Sequence, residues 1–189
     1  MLLAISGIWA ASPALHWEQL APLPNRRGLA GAYAGVSNDA LLVAGGANFP
    51  SKMPWEGGRK KWHDPVFVLD KPDGRWRQAG RLPRPLAYGV SVSFEDAVIC
   101  AGGCDAVRHY AEVFRLQLRG RKLVTTPLPS LPLPLAYMSG ALVGQLLHIA
   151  GGTEIPGEQE AISRSFVLDL GTPGSRWREL EPIPGPPRQ

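Results

Sequence analysis

Short runs of apolar residues recur along the chain, and three of them end in a pair of glycines. These runs cover residues 40–46, 97–103 and 146–152. Short apolar runs bounded by turn residues are typical of buried β-strands. A glycine pair permits backbone angles and close approaches that a side chain forbids. The pattern therefore predicts an all-β chain with many turns.

The glycine pairs are evenly spaced, which indicates an internal repeat. Gly45, Gly102 and Gly151 stand 57 and then 49 residues apart, near the roughly 50 residues of one blade in a Kelch-type β-propeller. A strand of small residues precedes each pair, and a third and a fourth strand follow it. The fourth strand opens with Trp76 in the first repeat and Trp177 in the third, whereas the second repeat has no Trp there. We expect this Trp to fill the gap between neighbouring blades.

The repeats predict three four-stranded blades, over about residues 28–82, 86–128 and 136–184. Residues 15–24 are similar to an outer strand, but no three inner strands precede them. Propellers commonly have about four to eight blades. We therefore expect residues 15–189 to form an incomplete Kelch-type β-propeller: three blades plus one orphan outer strand.

Composition and charge narrow the function classes. Gly (22) and Pro (19) are abundant, but a hydrophobic content of 44% argues against disorder. The net charge is +4, and the densest basic cluster, residues 59–61, lacks the interleaved aromatic residues of nucleic-acid surfaces. We expect solvated loop charges there and no nucleic-acid partner.

Two cysteines bear on metals and redox chemistry. Cys100 and Cys104 have neither a second cysteine pair nor an adjacent His, so they predict no zinc site. We expect free thiols, with a disulfide between them as the alternative. Nothing in the pattern predicts a metal or another cofactor.

Residues 1–14 are similar to the second half of a secretory signal. An apolar stretch is followed by small residues suited to cleavage, although the basic start of a full signal is missing. About ten apolar residues are too few for a helix that spans a bilayer, which needs about 20. The segment predicts a periplasmic or secreted protein without a membrane span.

Four segments also resemble a known family. They are residues 31–39 (GAYAGVSND), 43–50 (VAGGANFP), 54–64 (PWEGGRKKWHD) and 86–91 (LAYGVS), and they are similar to the sialic acid mutarotases (N-acetylneuraminate epimerases). The blade order matches the cyclically permuted branch of that family, in which the chain starts at an outer strand. The resemblance implies a six-bladed Kelch propeller that interconverts the α and β anomers of N-acetylneuraminate.

The implied reaction requires an acid/base group. A proton must move between the anomeric hydroxyl and the ring oxygen, so a positioned side chain has to donate and accept it. In the family this role belongs to a Glu in an Asn-Gly-Glu sequence, with an Arg a few residues later. The sequence contains no Asn-Gly-Glu. The resemblance therefore assigns no catalytic residue, and whether this chain is itself an enzyme stays open.

Candidate substrate-binding residues lie in the loops that meet where the inner strands begin, at one end of the propeller axis. They are Arg26, Arg27, Asn48, Arg84, Tyr88 and His109, with Tyr110 and Tyr137 near them. An arginine fork suits the carboxylate of a sugar acid. The alternatives are solvated loop charges for the arginines and, for Tyr88 and Tyr137, packing in the core, which we favour. The long loop 47–65 is a further candidate, since structureless loops of this length are often functional.

Three interpretations stay open at this stage. The first is a sialic acid mutarotase that takes sialic acid or a related sugar. The second is a non-catalytic module that binds carbohydrate or protein, assembled from two half-propellers or completed by a second chain. The third is a truncated fragment without activity of its own.

Overall fold

The structure, a computed structural model, describes residues 15–157 and 160–188; the signal-like segment 1–14 lies outside them. The strands of the first blade and its insertion are β1 (Tyr33–Ser37), β2 (Ala40–Ala44), β3 (Ala47–Asn48), β4 (Lys61–Trp62), β5 (Pro65–Leu69) and β6 (Arg77–Arg81). The second blade has β7 (Val90–Phe94), β8 (Ala97–Ala101), β9 (Val113–Arg119) and β10 (Lys122–Leu128). The third has β11 (Ser139–Val143), β12 (Leu146–Ala150), β13 (Ser165–Asp169) and β14 (Arg178–Leu180).

Each blade is one four-stranded antiparallel sheet in which successive strands pair with each other, apart from the insertion β3–β4 between β2 and β5 of the first blade. The sheet orders are β1-β2-β5-β6, β7-β8-β9-β10 and β11-β12-β13-β14. The three sheets are not closed into a ring, so the predicted all-β, incomplete propeller of three four-stranded blades is confirmed. No helix in the described part of the chain is long and apolar enough to cross a membrane.

The long loop of the first blade is structured, which the sequence did not predict. β3 and β4 pair as a short ladder, with Ala47 opposite Trp62 and Asn48 opposite Lys61. A single 3-10 turn, Pro54–Glu56, lies between them. The loop therefore has backbone pairing of its own, and this pairing holds its first residues, 47–48, next to residues 61–62.

The hydrophobic core lies between blades. Alternate residues of a strand face opposite sides of its sheet, and every residue of β8 is buried. Val98 and Cys100 pack toward the first blade, where they meet residues such as Leu42. Ile99 and Ala101 pack toward the third blade. The central sheet is thus covered on both faces, while the inner strand β11 of the third blade is largely exposed.

The inner strands touch through small and hydroxylated residues, as the sequence predicted. Ser91 Oγ accepts a hydrogen bond from the Ala34 N–H and donates one to the Ala34 carbonyl, both at 2.9 Å. A Cβ on Gly35 would lie 2.9 Å from Ser93 Oγ. Larger side chains here would separate the first two blades.

For Trp177, which packs against the core between the second and third blades, the predicted role of the outer-strand Trp is confirmed. Trp177 Nε1–H donates to the Pro129 carbonyl at the end of the preceding blade's outer strand (2.8 Å), and Trp76 Nε1–H donates to the Ala21 carbonyl (2.7 Å). Each half-buried indole thereby ties its blade to the segment before it.

The predicted orphan outer strand has no partner strand in the part of the chain that the structure describes. Residues 15–24 form no β-ladder with the described residues, because the sheet that would pair with them is not among those residues. Nevertheless, the Ala21 carbonyl accepts from Trp76 as the Pro129 carbonyl accepts from Trp177. Because Pro129 follows the outer strand of the second blade, residues 15–24 lie where the end of an outer strand is expected.

Candidate functional site

The entry points of the three blades form a hydrogen-bonded row at one end of the array. Tyr88 N–H donates to the Gly31 carbonyl and Tyr137 N–H donates to the Tyr88 carbonyl, both at 2.8 Å. Gly31, Tyr88 and Tyr137 have φ of +61°, +63° and +61°. The left-handed conformation costs a residue with a Cβ about 1–2 kcal/mol. Such outliers cluster at functional sites, so we take this end, which we call the mouth, as the candidate site.

The two tyrosine rings lie at the mouth and not in the core, which corrects the interpretation we favoured from sequence. Their centroids are 4.8 Å apart with planes tilted by 30°. Tyr137 is 36% exposed, and Tyr88 is half-buried. Both residues precede their inner strands at positive φ, so their side chains do not follow the alternation of the strand. The Tyr88 ring instead covers Gly31, where a Cβ would lie 2.4 Å from Cδ1.

Lys60 places a positive charge beside these rings. Its Nζ lies 4.6 Å from the centroid of Tyr88 and 5.4 Å from that of Trp62, within the roughly 6 Å of a cation–π contact. The sequence reasoning missed Lys60, although it lies in the densest basic cluster. Only the folding of residues 47–62 back toward the second blade distinguishes it from its solvated neighbours.

Cys104 and His109 connect the second blade to Tyr137. The Cys104 thiol lies 3.8 Å from Tyr137 Oη, and burial raises the pKa of this thiol. The His109 ring centroid is 5.9 Å from that of Tyr137. His109 is buried and its Nδ1 is 2.9 Å from the Thr153 carbonyl, so Nδ1–H donates to the third blade. Both cysteines are free.

The predicted arginines differ in what they contact. Arg84 Nη1 pairs with Glu112 Oε1 at 3.1 Å, and its guanidinium lies 4.5 Å from the Tyr110 ring centroid. Arg27 is exposed and donates to the Ser51 carbonyl at 3.3 Å. Arg26 is exposed. The fold therefore does not bring the three into one fork.

The side-chain amide of Asn48 joins residues 25–28, which precede the first blade, to His63 in the long loop of that blade. Nδ2–H donates to Asn25 Oδ1 (3.0 Å) and to the Gly28 carbonyl (2.8 Å), and Oδ1 is 2.8 Å from His63 Nε2. Since Oδ1 accepts, Nε2 of His63 carries the proton. Burial, with the charge of Lys61 adding, lowers the pKa of His63, and Asp64 opposes the shift.

Two hollows open beside the row of entry points, each of about 340 Å³. Arg27 and Asn48 line the first one. The second lies between the β3–β4 ladder and residues 105–107, and Lys60, Trp62, Pro85 and Val107 line it. Trp62 Nε1–H is buried and reaches no nitrogen or oxygen acceptor in the described part of the chain.

Two carboxylates at the mouth, those of Asp105 and Glu112, are already engaged. Asp105 Oδ1 accepts from Val107 N–H (2.7 Å) and Arg108 N–H (3.0 Å), and Oδ2 accepts from the Tyr110 hydroxyl. Burial alone would raise the pKa of Asp105, but these hydrogen bonds hold it below its ordinary value. Glu112 is paired with Arg84. Among residues 15–157 and 160–188, no group of three or more His, Cys, Asp or Glu could hold a metal ion.

Comparison with known proteins gives one consistent result. Residues 7–125 match the family model described as N-acetylneuraminate epimerase. The N-acetylneuraminate epimerase of Yersinia enterocolitica is 42% identical over 126 residues, which cover 58% of this chain and 31% of the relative. That of Brucella suis is 38% identical over 126 residues, covering 58% and 32%. The chain thus spans about a third of the length of these curated relatives.

A solved structure shares the fold. The structure of YjhT superposes with a TM-score of 0.76 over 93% of this chain and 58% of that one. The sequences are 15% identical, so this similarity supports the propeller architecture alone. Since it covers 93% of this chain, it extends into the third blade, all of which lies beyond the match to the family model.

Proposed function

Because the chain belongs to the N-acetylneuraminate epimerase family, we propose that its mouth binds N-acetylneuraminate and that a completed propeller interconverts the anomers of this sugar. The observation that carries the proposal is the pair of strained tyrosines beside a lysine ammonium at the blade entry points. Aromatic faces pack on the apolar surface of a ligand, and a cation attracts a carboxylate.

The proposal divides the work between binding and catalysis. The anomeric exchange needs an acid/base group, yet the carboxylates of Asp105 and Glu112 are engaged by hydrogen bonds or an ion pair. The sequence has no Asn-Gly-Glu. We therefore assign to this chain the positioning of the sugar and assign the proton transfer to a blade outside it.

A non-catalytic sugar-binding module is the second candidate, and the same engaged carboxylates favour it. The two candidates differ in the rate at which N-acetylneuraminate anomers equilibrate, which NMR follows directly. Under the first, the endogenous protein accelerates equilibration while the isolated 189-residue chain binds without accelerating it. An endogenous protein that binds the sugar but leaves the rate unchanged would leave only the binding module.

Further blades are proposed to pack against the third blade. The Arg188 carbonyl accepts the Gly152 N–H at 2.9 Å. In the second blade, the Leu135 carbonyl accepts the equivalent Gly103 N–H at 2.7 Å, and Leu135 lies just before the third blade begins. Arg188 therefore stands in the position from which a further inner strand starts, next to the exposed face of β11.

Two copies of this chain fit that role poorly. Residues 15–24 already hold the place of a preceding outer strand, through the Ala21 carbonyl. A second copy would bring its own outer strand, β14, to the same place. A blade that lacks an outer strand fits better, whether from a longer chain or from another one. Intact and native masses of the endogenous protein test this: a native mass of twice 20.4 kDa from two identical chains would contradict it.

A periplasmic or secreted location is also a proposal, supported by the signal-like residues 1–14. Cell fractionation with an antibody to the protein tests it. Recovery with the periplasmic fraction or the medium is expected, and recovery with cytosolic markers would contradict it.

A further inference from the structure

Lys60 differs from the ion-paired arginines near the mouth in what surrounds it. Arg84 is paired with Glu112 and Arg164 with Glu179. Within the described residues no carboxylate oxygen lies within 4 Å of the Lys60 ammonium. The two groups that hold it are aromatic faces, those of Tyr88 and Trp62. Among the described residues, therefore, no ion pair neutralises its positive charge.

The two rings that hold the ammonium are themselves fixed. The Tyr88 backbone is bonded on both sides, to Gly31 and to Tyr137. Trp62 belongs to β4, which pairs with β3. A lysine side chain normally loses much rotamer freedom when it binds a ligand. Here part of that entropy is already lost, so the ammonium is pre-organised for a ligand.

A hollow of suitable size adjoins this ammonium. Its volume of about 340 Å³ falls in the range of about 300–1,000 Å³ that small-molecule sites occupy. Trp62, Pro85 and Val107 give it apolar walls. Asp105, the acidic residue that lines it, turns its oxygens toward its own loop and Tyr110, from which they accept three hydrogen bonds, and it forms no ion pair with Lys60.

We propose that Lys60 is the anion-binding residue of the mouth: its ammonium takes the carboxylate of a sugar acid, and the hollow between the β3–β4 ladder and residues 105–107 takes the sugar body. The inference rests on the proposed function for the choice of sugar, but not for the charge that is recognised. It assigns the carboxylate to Lys60 in place of the arginines that the sequence suggested.

The test compares Kd values by calorimetry or ligand-observed NMR for four chains: wild type, Lys60→Met, Lys60→Arg and Lys122→Met. The ligands are N-acetylneuraminate, its methyl ester and glucuronate. Methionine keeps an unbranched apolar stem without charge, and arginine keeps both the charge and the ability to stack on rings. Lys122 begins β10, at the end of the blade opposite the mouth, so its variant is the matched charge control. Thermal unfolding of each variant checks the fold.

Lys60→Met is expected to weaken binding of the acid about tenfold or more, the usual scale of a charge-assisted contact, and to abolish the preference for acid over ester. Lys60→Arg should retain that preference, and Lys122→Met should match the wild type. A Lys60→Met chain that keeps the wild-type preference overturns the inference. A wild type that prefers glucuronate, with the preference dependent on Lys60, overturns the proposed function but supports the inference. A wild type that binds neither acid overturns both.

Discussion

A glycine pair at the end of a second strand offers a sharp test of how blades are joined. Gly102 and Gly120 both have φ of +60°, so alanine imposes the same left-handed backbone cost at both. They differ in their surroundings. A Cβ on Gly102 would lie 2.5 Å from the Leu135 carbonyl oxygen and 2.5 Å from Met138 Cε, whereas a Cβ on Gly120 meets nothing within 4 Å.

The difference in unfolding free energy follows from this geometry. Gly120→Ala should cost about 1–2 kcal/mol, for the backbone alone. Gly102→Ala must also displace the Leu135 carbonyl, which accepts the Gly103 N–H at 2.7 Å. Weakening a buried hydrogen bond costs about 1 kcal/mol more, and the steric clash adds to it. We therefore expect Gly102→Ala to lose about 3 kcal/mol.

Urea unfolding followed by far-UV circular dichroism measures both losses. At about 2–4 °C of Tm per kcal/mol for a chain of this size, the two variants should also separate by several degrees on heating. Equal losses of unfolding free energy for the two variants would refute the reasoning. Gly102 would then be required only for its own left-handed backbone conformation and not for the close approach of the third blade.

Three further predictions concern protonation, thiols and blade packing. Since burial lowers the pKa of His63, the folded protein resists its protonation. The stabilisation that neutral His63 contributes is therefore present above about pH 6.5 and is lost as the pH falls through its lower pKa in the folded state. His63→Gln should make the unfolding free energy depend less on pH between pH 7 and 5. An unchanged slope against pH would contradict this. Burial raises the pKa of both Cys100 and Cys104, so a thiol reagent at pH 8 should label them only after denaturation, and rapid labelling of the folded chain would disprove their burial. Trp177→Phe removes one indole hydrogen bond of 2.8 Å and should cost about 1 kcal/mol in urea unfolding, whereas an unchanged midpoint would show that the bond is dispensable.

The blades could be predicted from sequence because their signals are local. An apolar run, a glycine pair and an outer-strand Trp recur with one period, so each repeat reports the same set of strands. β13 (Ser165–Asp169) is the third strand that the repeat predicts after the last glycine pair. Residues 15–24 have a strand-like local pattern but form no ladder with the described residues, because a ladder requires a partner strand as well as a local signal.

The candidate site could be predicted only as a region. Loop positions at the starts of inner strands indicated the mouth, and Tyr88 was among the residues named. The positive φ that turns Tyr88 and Tyr137 out of the core has no signal in the sequence, since tyrosine rarely adopts it. The role of Lys60 depends on a contact with Tyr88, 28 residues along the chain, in the next blade. Charge patterns alone cannot distinguish such a lysine from solvated ones.

The central claim is that the mouth, and no other surface of this chain, binds an acidic sugar. Titration of the isotopically labelled chain with N-acetylneuraminate, followed by amide and indole NMR shifts, tests it most directly. We predict that the shifted signals are those of Tyr88, Tyr137 and the Trp62 indole, while Gly120 and Gly144 in the hairpins at the opposite end stay unchanged. Shifts centred on those hairpins, or no shifts at millimolar sugar, would contradict the account.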